Sequence, residues 1–292
     1  MSEHEASSRG KGSRTRKFML NLLFAALMAG GLVLQPGVLQ AEPVAVRYVE
    51  GMVHGFLVLR TLDGKTLAQG DLTQVARGSR VTSRLVFHFR DGSLHDETAV
   101  YTERRTFRLV SDHLVQKGPA FPQPMEVKID GATGQTTIRY TDDGKEKVAA
   151  ERLDLPPDVA NGMILTLLKN LPRDAQQLNL AMVAATPKPR LVKLAITSAG
   201  TDPFSIGGST RHATHYVVKV DLGGVAGLVA PLVGKQPPDS HVWIMRGEVP
   251  AFVKSEAPLY PGGPLVRIEL TSPAWPQPPK GKSPPSPPRP RR

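Results

Sequence analysis

Aspartate–glycine pairs recur through this chain, each between runs of alternating apolar and polar residues. His54–Thr61 is followed by Asp63-Gly64 and then by Lys65–Val75. Val81–Phe89 leads into Asp91-Gly92 and Ser93–Thr102. Thr136–Tyr140 leads into Asp142-Asp143-Gly144 and Lys145–Ala150, and Asp130-Gly131 with Thr133-Gly134 marks another turn. An Asp-Gly pair in this setting signals a β-hairpin, because both central residues of the tightest turns take positive φ.

The runs themselves have the period of a strand. In Arg84–Arg90, residues Leu85, Phe87 and Phe89 share one face, while Arg84, Val86, His88 and Arg90 share the other. Neighbouring hairpins follow one another with no helix between them, which favours an antiparallel meander over a parallel α/β sheet. Consecutive long hairpins accumulate twist. The fold expected is mainly β: a strongly curved antiparallel sheet, a half-barrel or open barrel. Later strands are expected at 178–185, 191–198, 212–220, 241–245, 251–255 and 265–270.

One helix is expected, packed on the concave side of that sheet. Leu155-Pro156-Pro157-Asp158 has the form of a helix start, with Asp154 as the cap. Val159, Met163, Leu167 and Leu171 follow at intervals of four, widened by Ile164 and Leu168, and Pro172 ends the run. Gly162 inside it costs about 1 kcal/mol relative to alanine, a cost that close approach to the sheet backbone would explain. The segment Leu222–Gly234 is small and apolar throughout, and fits a core plug or a lid.

The two ends of the chain read differently. Arg9, Lys11, Arg14, Arg16 and Lys17 precede an apolar run from Met19 to Leu34, and Val38-Leu39-Gln40-Ala41 follows. This has the three parts of a secretory signal, with cleavage expected after Ala41 and an uncleaved inner-membrane anchor as the alternative. Residues 42–272 then form the β domain. Residues 273–292 hold nine prolines among Ser, Lys and Arg, and are expected to be an extended tail. With the signal cleaved, the location is periplasmic or secreted.

Charge and cysteine usage narrow the partners. The signal region carries +3 and the tail +5 of the formal net charge of +11, leaving +3 for the body. That is no nucleic-acid footprint. Lys280, Lys282, Arg289, Arg291 and Arg292 instead suit an anionic envelope surface. The chain has no cysteine, so neither a disulfide nor a thiolate ligand can form.

No catalytic constellation emerges. His212 and His215 are three apart in a strand and face opposite ways, against a shared metal. His95-Asp96-Glu97 follows a hairpin and reads as a solvated turn. The chain has no Gly-x-Ser-x-Gly nucleophile elbow, and its glycine-rich stretches lack the setting of phosphate loops. Arg104-Arg105-Thr106-Phe107-Arg108 reads as a basic strand face, or as a headgroup contact at a cavity mouth. The crossing Asp112–Pro119 into Phe121–Met125 reads as a rim loop.

Phe87-His88-Phe89-Arg90-Asp91-Gly92-Ser93, Ser111-Asp112-His113, Gly118-Pro119 and Leu155-Pro156-Pro157-Asp158 together resemble an uncharacterised family of exported bacterial proteins. The stretches Gly223-Gly224 to Pro231 and Gly262-Gly263-Pro264 fit the same resemblance, which covers most of 45–272. The family has no activity to carry over. More loosely, the architecture is similar to the lipoprotein-carrier half-barrels, in which a curved sheet wraps helices around an apolar cavity. That similarity implies a lipid or other hydrophobic ligand, no enzymatic activity and no cofactor or metal. Leu85, Phe87, Phe89, Met163, Ile164 and Leu167 are the expected cavity lining. The alternatives are an envelope interaction protein acting through its basic tail, and a hydrolase whose site has no motif.

Overall fold

The computed structural model describes residues 43–172, 175, 177–206, 208–222 and 236–271, all within one compact unit. Strands dominate it. The first four are β1 (Val53–Thr61), β2 (Thr66–Arg77), β3 (Arg80–Phe89) and β4 (Leu94–Glu103). Next come β5 (Phe107–Lys117), β6 (Met125–Asp130), β7 (Gln135–Asp142) and β8 (Lys145–Arg152). After a single helix, α1 (Ile164–Lys169), follow β9 (Gln177–Ala184), β10 (Arg190–Ile206) and β11 (Ser209–Asp221). The last three are β12 (Ser240–Met245), β13 (Ala251–Pro258) and β14 (Leu265–Leu270).

All fourteen strands join one antiparallel sheet in the order β8-β7-β6-β5-β4-β3-β2-β1-β14-β13-β12-β11-β10-β9. Every pairing but one is between sequence neighbours; β1 with β14 is the exception. The chain is therefore two meanders joined where its first and last strands meet. No ladder joins β8 to β9, so the sheet stays open.

The turns refine the hairpin expectation. Only Asp143 and Gly144 both take positive φ, at 51° and 71°. In the 130–134 turn only Gly134 is left-handed, at 73°; at Asp63-Gly64 and Asp91-Gly92 the glycine alone is, at 95° and 84°. There Thr61 N–H donates to Lys65 O at 2.9 Å, and Phe89 N–H to Ser93 O at 3.0 Å. These are three-residue loops closed by a left-handed glycine rather than two-residue turns.

The sheet curls. Laid flat, fourteen strands would span about 60 Å at ~4.8 Å per strand. Yet Ile138 of β7 and Leu180 of β9, near its two ends, lie in one core cluster. Met163, Leu167, Leu168 and Leu171 complete that cluster from the concave side. A smaller cluster, with Leu57, Leu59, Phe87 and Val266, sits where the two meanders meet.

The helix is shorter than the apolar spacing suggests, spanning 164–169 rather than 156–171. Gly162 stands just before it with φ +63°, which breaks the helical path. Residues 158–161 instead run along the free edge of β9. Val159 bridges to Ala181 in parallel, and Asn161 exchanges hydrogen bonds with Val183 at 2.8 and 3.0 Å. The apolar stripe is largely buried, and Val159 at its start lies on a sheet edge that would otherwise be exposed.

Two ties fix the plug. Lys169 Nζ lies 2.6 Å from a Glu50 carboxylate oxygen, and both side chains are largely buried. At the helix C-terminus the Arg246 guanidinium donates to the carbonyls of Leu168, Lys169 and Leu171, and to the Tyr216 hydroxyl. A cation there also complements the negative end of the helix.

Candidate functional site

The pairing registers determine which side chains meet on the concave face. One transverse row runs Gly55–Leu72–Leu85–Glu97–Leu114–Val127–Ile138 across β1 to β7. The row on one side of it contains Gln74, Ala99, Asp112 and Ile129; the row on the other contains Phe87, His95, Gln116 and Met125. Both flanking sets are buried. In the middle row Leu72, Leu85, Glu97 and Leu114 each keep part of their surface uncovered. At its start the uncovered surface grows: Val53 is 42% and Leu270 49% exposed, and both belong to the inner face.

Packing explains the covered rows. Toward the helix, Gly162 lies so close that an added Cβ would stand 2.5 Å from Ala99 Cβ and 3.0 Å from Asp112 Oδ1. The glycine does approach the sheet closely, but its nearest neighbours are side chains of β4 and β5 and not the backbone. Toward the other end, Gln116 Nε2 donates to Leu259 O at 2.7 Å, drawing the β13–β14 loop over the concave side. Phe121 stacks edge-on with Phe89 and with Tyr260, so two loops meet there.

The ionisable groups of this face are strongly perturbed. Glu97 is surrounded by protein yet partly uncovered, and burial lifts its carboxyl to about 7. Asp112 is 3% exposed and is raised well above its usual range, first by burial and then by the Glu97 charge. Its Oδ1 has no hydrogen-bond partner among the described residues. That oxygen is the one beside Gly162, so it faces the plug and not the row. Burial pushes His95 down to about 4. Its Nδ1 accepts from Gln116 Nε2 at 3.0 Å, which requires the neutral tautomer protonated on Nε2.

A second polar network lies under the helix. Gln74 Nε2 donates to Glu50 Oε2 at 2.7 Å, and the Tyr101 hydroxyl lies 3.2 Å from both Gln74 Oε1 and Thr166 Oγ1. Asn170 Oδ1 accepts from the amides of Arg47 and Tyr48 at 2.9 and 2.8 Å. These contacts hold residues 44–50 across one end of the sheet. They tie the helical plug and the segment that seals it, 44–50, to Gln74 of β2 and Tyr101 of β4.

The residues singled out from sequence divide accordingly. Phe87, Met163 and Leu167 are fully packed in the two clusters, while Leu85, Phe89 and Ile164 are partly buried against them. Of the six, Leu85 belongs to the uncovered row. His95-Asp96-Glu97 is strand β4 and not a turn, with His95 and Glu97 pointing inward. Alternation around Phe87 carried that signal, but the nearby Asp91-Gly92 turn obscured it. Arg104 and Arg105 stand in the β4–β5 turn, not in a strand. The rim loop shrinks to 118–124, because Phe107–Lys117 and Met125–Asp130 are strands.

His212 is exposed, and His215 meets His241 instead, at 2.9 Å between Nε2 and Nδ1. His215 also stacks on Trp243, with ring centroids 4.3 Å apart. Among the described residues no three histidines or carboxylates come together as a metal site. Surface hollows of about 350 and 230 Å³ lie beside Gly131 and Leu155, and neither includes a residue of the uncovered row. Most of Leu222–Gly234 and the basic tail with Lys280, Lys282, Arg289, Arg291 and Arg292 lie outside the described residues. No described helix is long and apolar enough to cross a membrane.

Fold and site together define an open antiparallel β-barrel with a helical plug and a partly uncovered inner row. Neither family models nor curated proteins match the sequence. Among solved structures, the chain is similar to a β-barrel-like protein of the domain of unknown function DUF1849 from Brucella abortus. Identity is 11% and the TM-score 0.41, over 77% of this chain and 98% of that one. A likeness of that degree transfers no residue role.

Proposed function

We propose that this chain is an exported protein of the bacterial envelope that binds a lipid or another apolar ligand inside its curved sheet. The observation that carries the reading is the row Leu72, Leu85, Glu97 and Leu114, partly uncovered between two buried rows. Apolar side chains left uncovered on an otherwise packed concave face gain about 25 cal/mol per Å² when a ligand covers them. Exposed Val53 and Leu270 give that row an apolar approach. Glu97 supplies polar recognition. With a pKa of about 7 it is present both as an acid, donating to an ester or carbonyl oxygen, and as an acceptor for a hydroxyl or amine. Met163 and Leu167 are packed in the larger cluster, against which Leu114 also rests. Export rests on the charged, apolar and small-residue segments of 1–41. The carboxyl pair does not favour a hydrolase, since the free oxygen of Asp112 is turned toward Gly162.

Titration with the neutral fluorophore N-phenyl-1-naphthylamine tests the reading. Saturable uptake is expected, weakened at least about tenfold in L85W/L114W, where indoles fill the row. V148W, on exposed β8, is the control. Absence of saturable uptake by the wild-type chain contradicts the reading. So does uptake unchanged in L85W/L114W when its unfolding midpoint matches that of the control.

A further inference from the structure

We propose that one end of the barrel docks on an anionic lipid bilayer. The docking surface consists of segment 47–53, the β2–β3 hairpin and the β4–β5 turn. It is independent of the interior row and holds whether or not that row takes a ligand.

The strand directions sort the turns into two ends. Arg77 pairs with Arg80 at the tip of the β2–β3 hairpin, and Thr102 of β4 pairs with the same Arg80. Val53 pairs with Gln74, which brings the start of β1 to this end. Arg104 Nε donates to Ser79 Oγ at 3.2 Å, and Val46 N–H donates to Arg105 O at 3.0 Å. One continuous surface therefore presents Arg47, Arg77, Arg80, Arg104 and Arg105, all exposed. None has an ion-pair partner among the described residues. The acids within this surface, Glu50 and Glu103, are buried, and Glu50 is paired with Lys169. Glu248 is exposed in the 246–250 turn, whose strand β12 ends at this same end.

Large apolar side chains project among these arginines. Val49 is 77% and Met52 85% exposed, and Val249, 76% exposed, lies in a turn of the same end. The other end mixes its charges: Asp63, Asp91, Asp142 and Asp143 stand there beside Lys65, Arg90, Lys117, Lys145 and Lys188.

The mixture of arginines and apolar side chains selects the partner. Guanidinium groups bind phosphate headgroups, and scattered apolar side chains enter the boundary between headgroups and acyl chains. A nucleic acid would use the arginines but leave Met52 and Val49 in water. The described chain also begins at this end, with Val44 and Val46 hydrogen-bonded to the 105–107 backbone.

The absence of cysteine allows a site-specific test on the full chain. M52C is labelled with an environment-sensitive fluorophore, and L62C, on the opposite end, serves as control. With vesicles of mixed zwitterionic and anionic phospholipid, the label at position 52 should shift to the blue and that at 62 should not. The shift should need the anionic lipid and weaken with salt. Replacing Arg77, Arg80, Arg104 and Arg105 by Gln should weaken it at least about 30-fold. No shift at 52, an equal shift at 62, or an equal shift on purely zwitterionic vesicles overturns the proposal. Binding to an anionic polymer without any shift on vesicles does so too.

Discussion

Glu97, Asp112 and His95 show how burial alone produces chemistry on a face built of leucine and phenylalanine. Folding keeps the Glu97 proton on up to about pH 7, whereas an unfolded glutamate releases it near 4.5. Between those values the folded chain holds the extra proton, so stability falls as pH rises. His95 works the other way. It stays neutral down to about 4 while the unfolded imidazole titrates near 6.5, so its contribution rises with pH across that window. Below pH 6.5 the two oppose each other, and Asp112, also raised by burial, adds to the decline from Glu97. E97Q should therefore be more stable than the wild-type chain at pH 8, by up to about 3 kcal/mol. Urea unfolding at pH 5 and pH 8 measures this, and an unchanged pH dependence would contradict the burial of Glu97.

Gly162 is a second residue-scale test. With φ +63° and Ala99 Cβ 2.5 Å from where its own Cβ would stand, G162A should cost about 2–4 kcal/mol. A99G should recover the steric part but not the backbone part. Full recovery in the double variant would mean that the left-handed backbone costs nothing there. Sequence reading placed this glycine correctly against the sheet. It missed the positive φ, because the spacing of Val159, Met163 and Leu167 satisfies a helix equally well.

Among the elements, the hairpins were legible because alternation and Asp-Gly turns agree, as in β3–β4. The extent of β5 was not. Its two partly polar faces, with Asp112 and Gln116 directed inward, mask the period of two. The helix was overlong in the sequence reading for a related reason: Val159 is buried, but against an edge strand and before the helix begins. The tie between plug and seal has a measurable weight. K169M leaves Glu50 buried without its cation, at a cost of about 3 kcal/mol. E50Q/K169M should cost less than K169M alone, as urea unfolding will show. Equal losses would mean that the pair contributes nothing beyond packing.

Across the whole molecule, one sheet meets itself through a plug and not through a closing ladder. Its two edges are handled differently. β9 is covered by residues 158–161, whereas β8 is exposed along almost its whole length and carries Lys145, Glu146, Lys147, Glu151 and Arg152. Such charge discourages edge pairing. Amide exchange in β8 should be at least about 100-fold faster than in β3 and β4, since local opening there uncovers little apolar surface. The curl was legible from the run of hairpins. The pairing of β1 with β14 was not, because no local pattern records which distant strands become neighbours.

The central claim is that an apolar ligand covers Leu72, Leu85, Glu97 and Leu114. Native mass spectrometry of the purified chain, followed by organic extraction, tests it most directly. The account predicts a reproducible added mass that extracts as lipid, or that appears after incubation with envelope lipids, and that is lost in L85W/L114W. A clean protein mass before and after that incubation, or an adduct equally present in L85W/L114W, would contradict it.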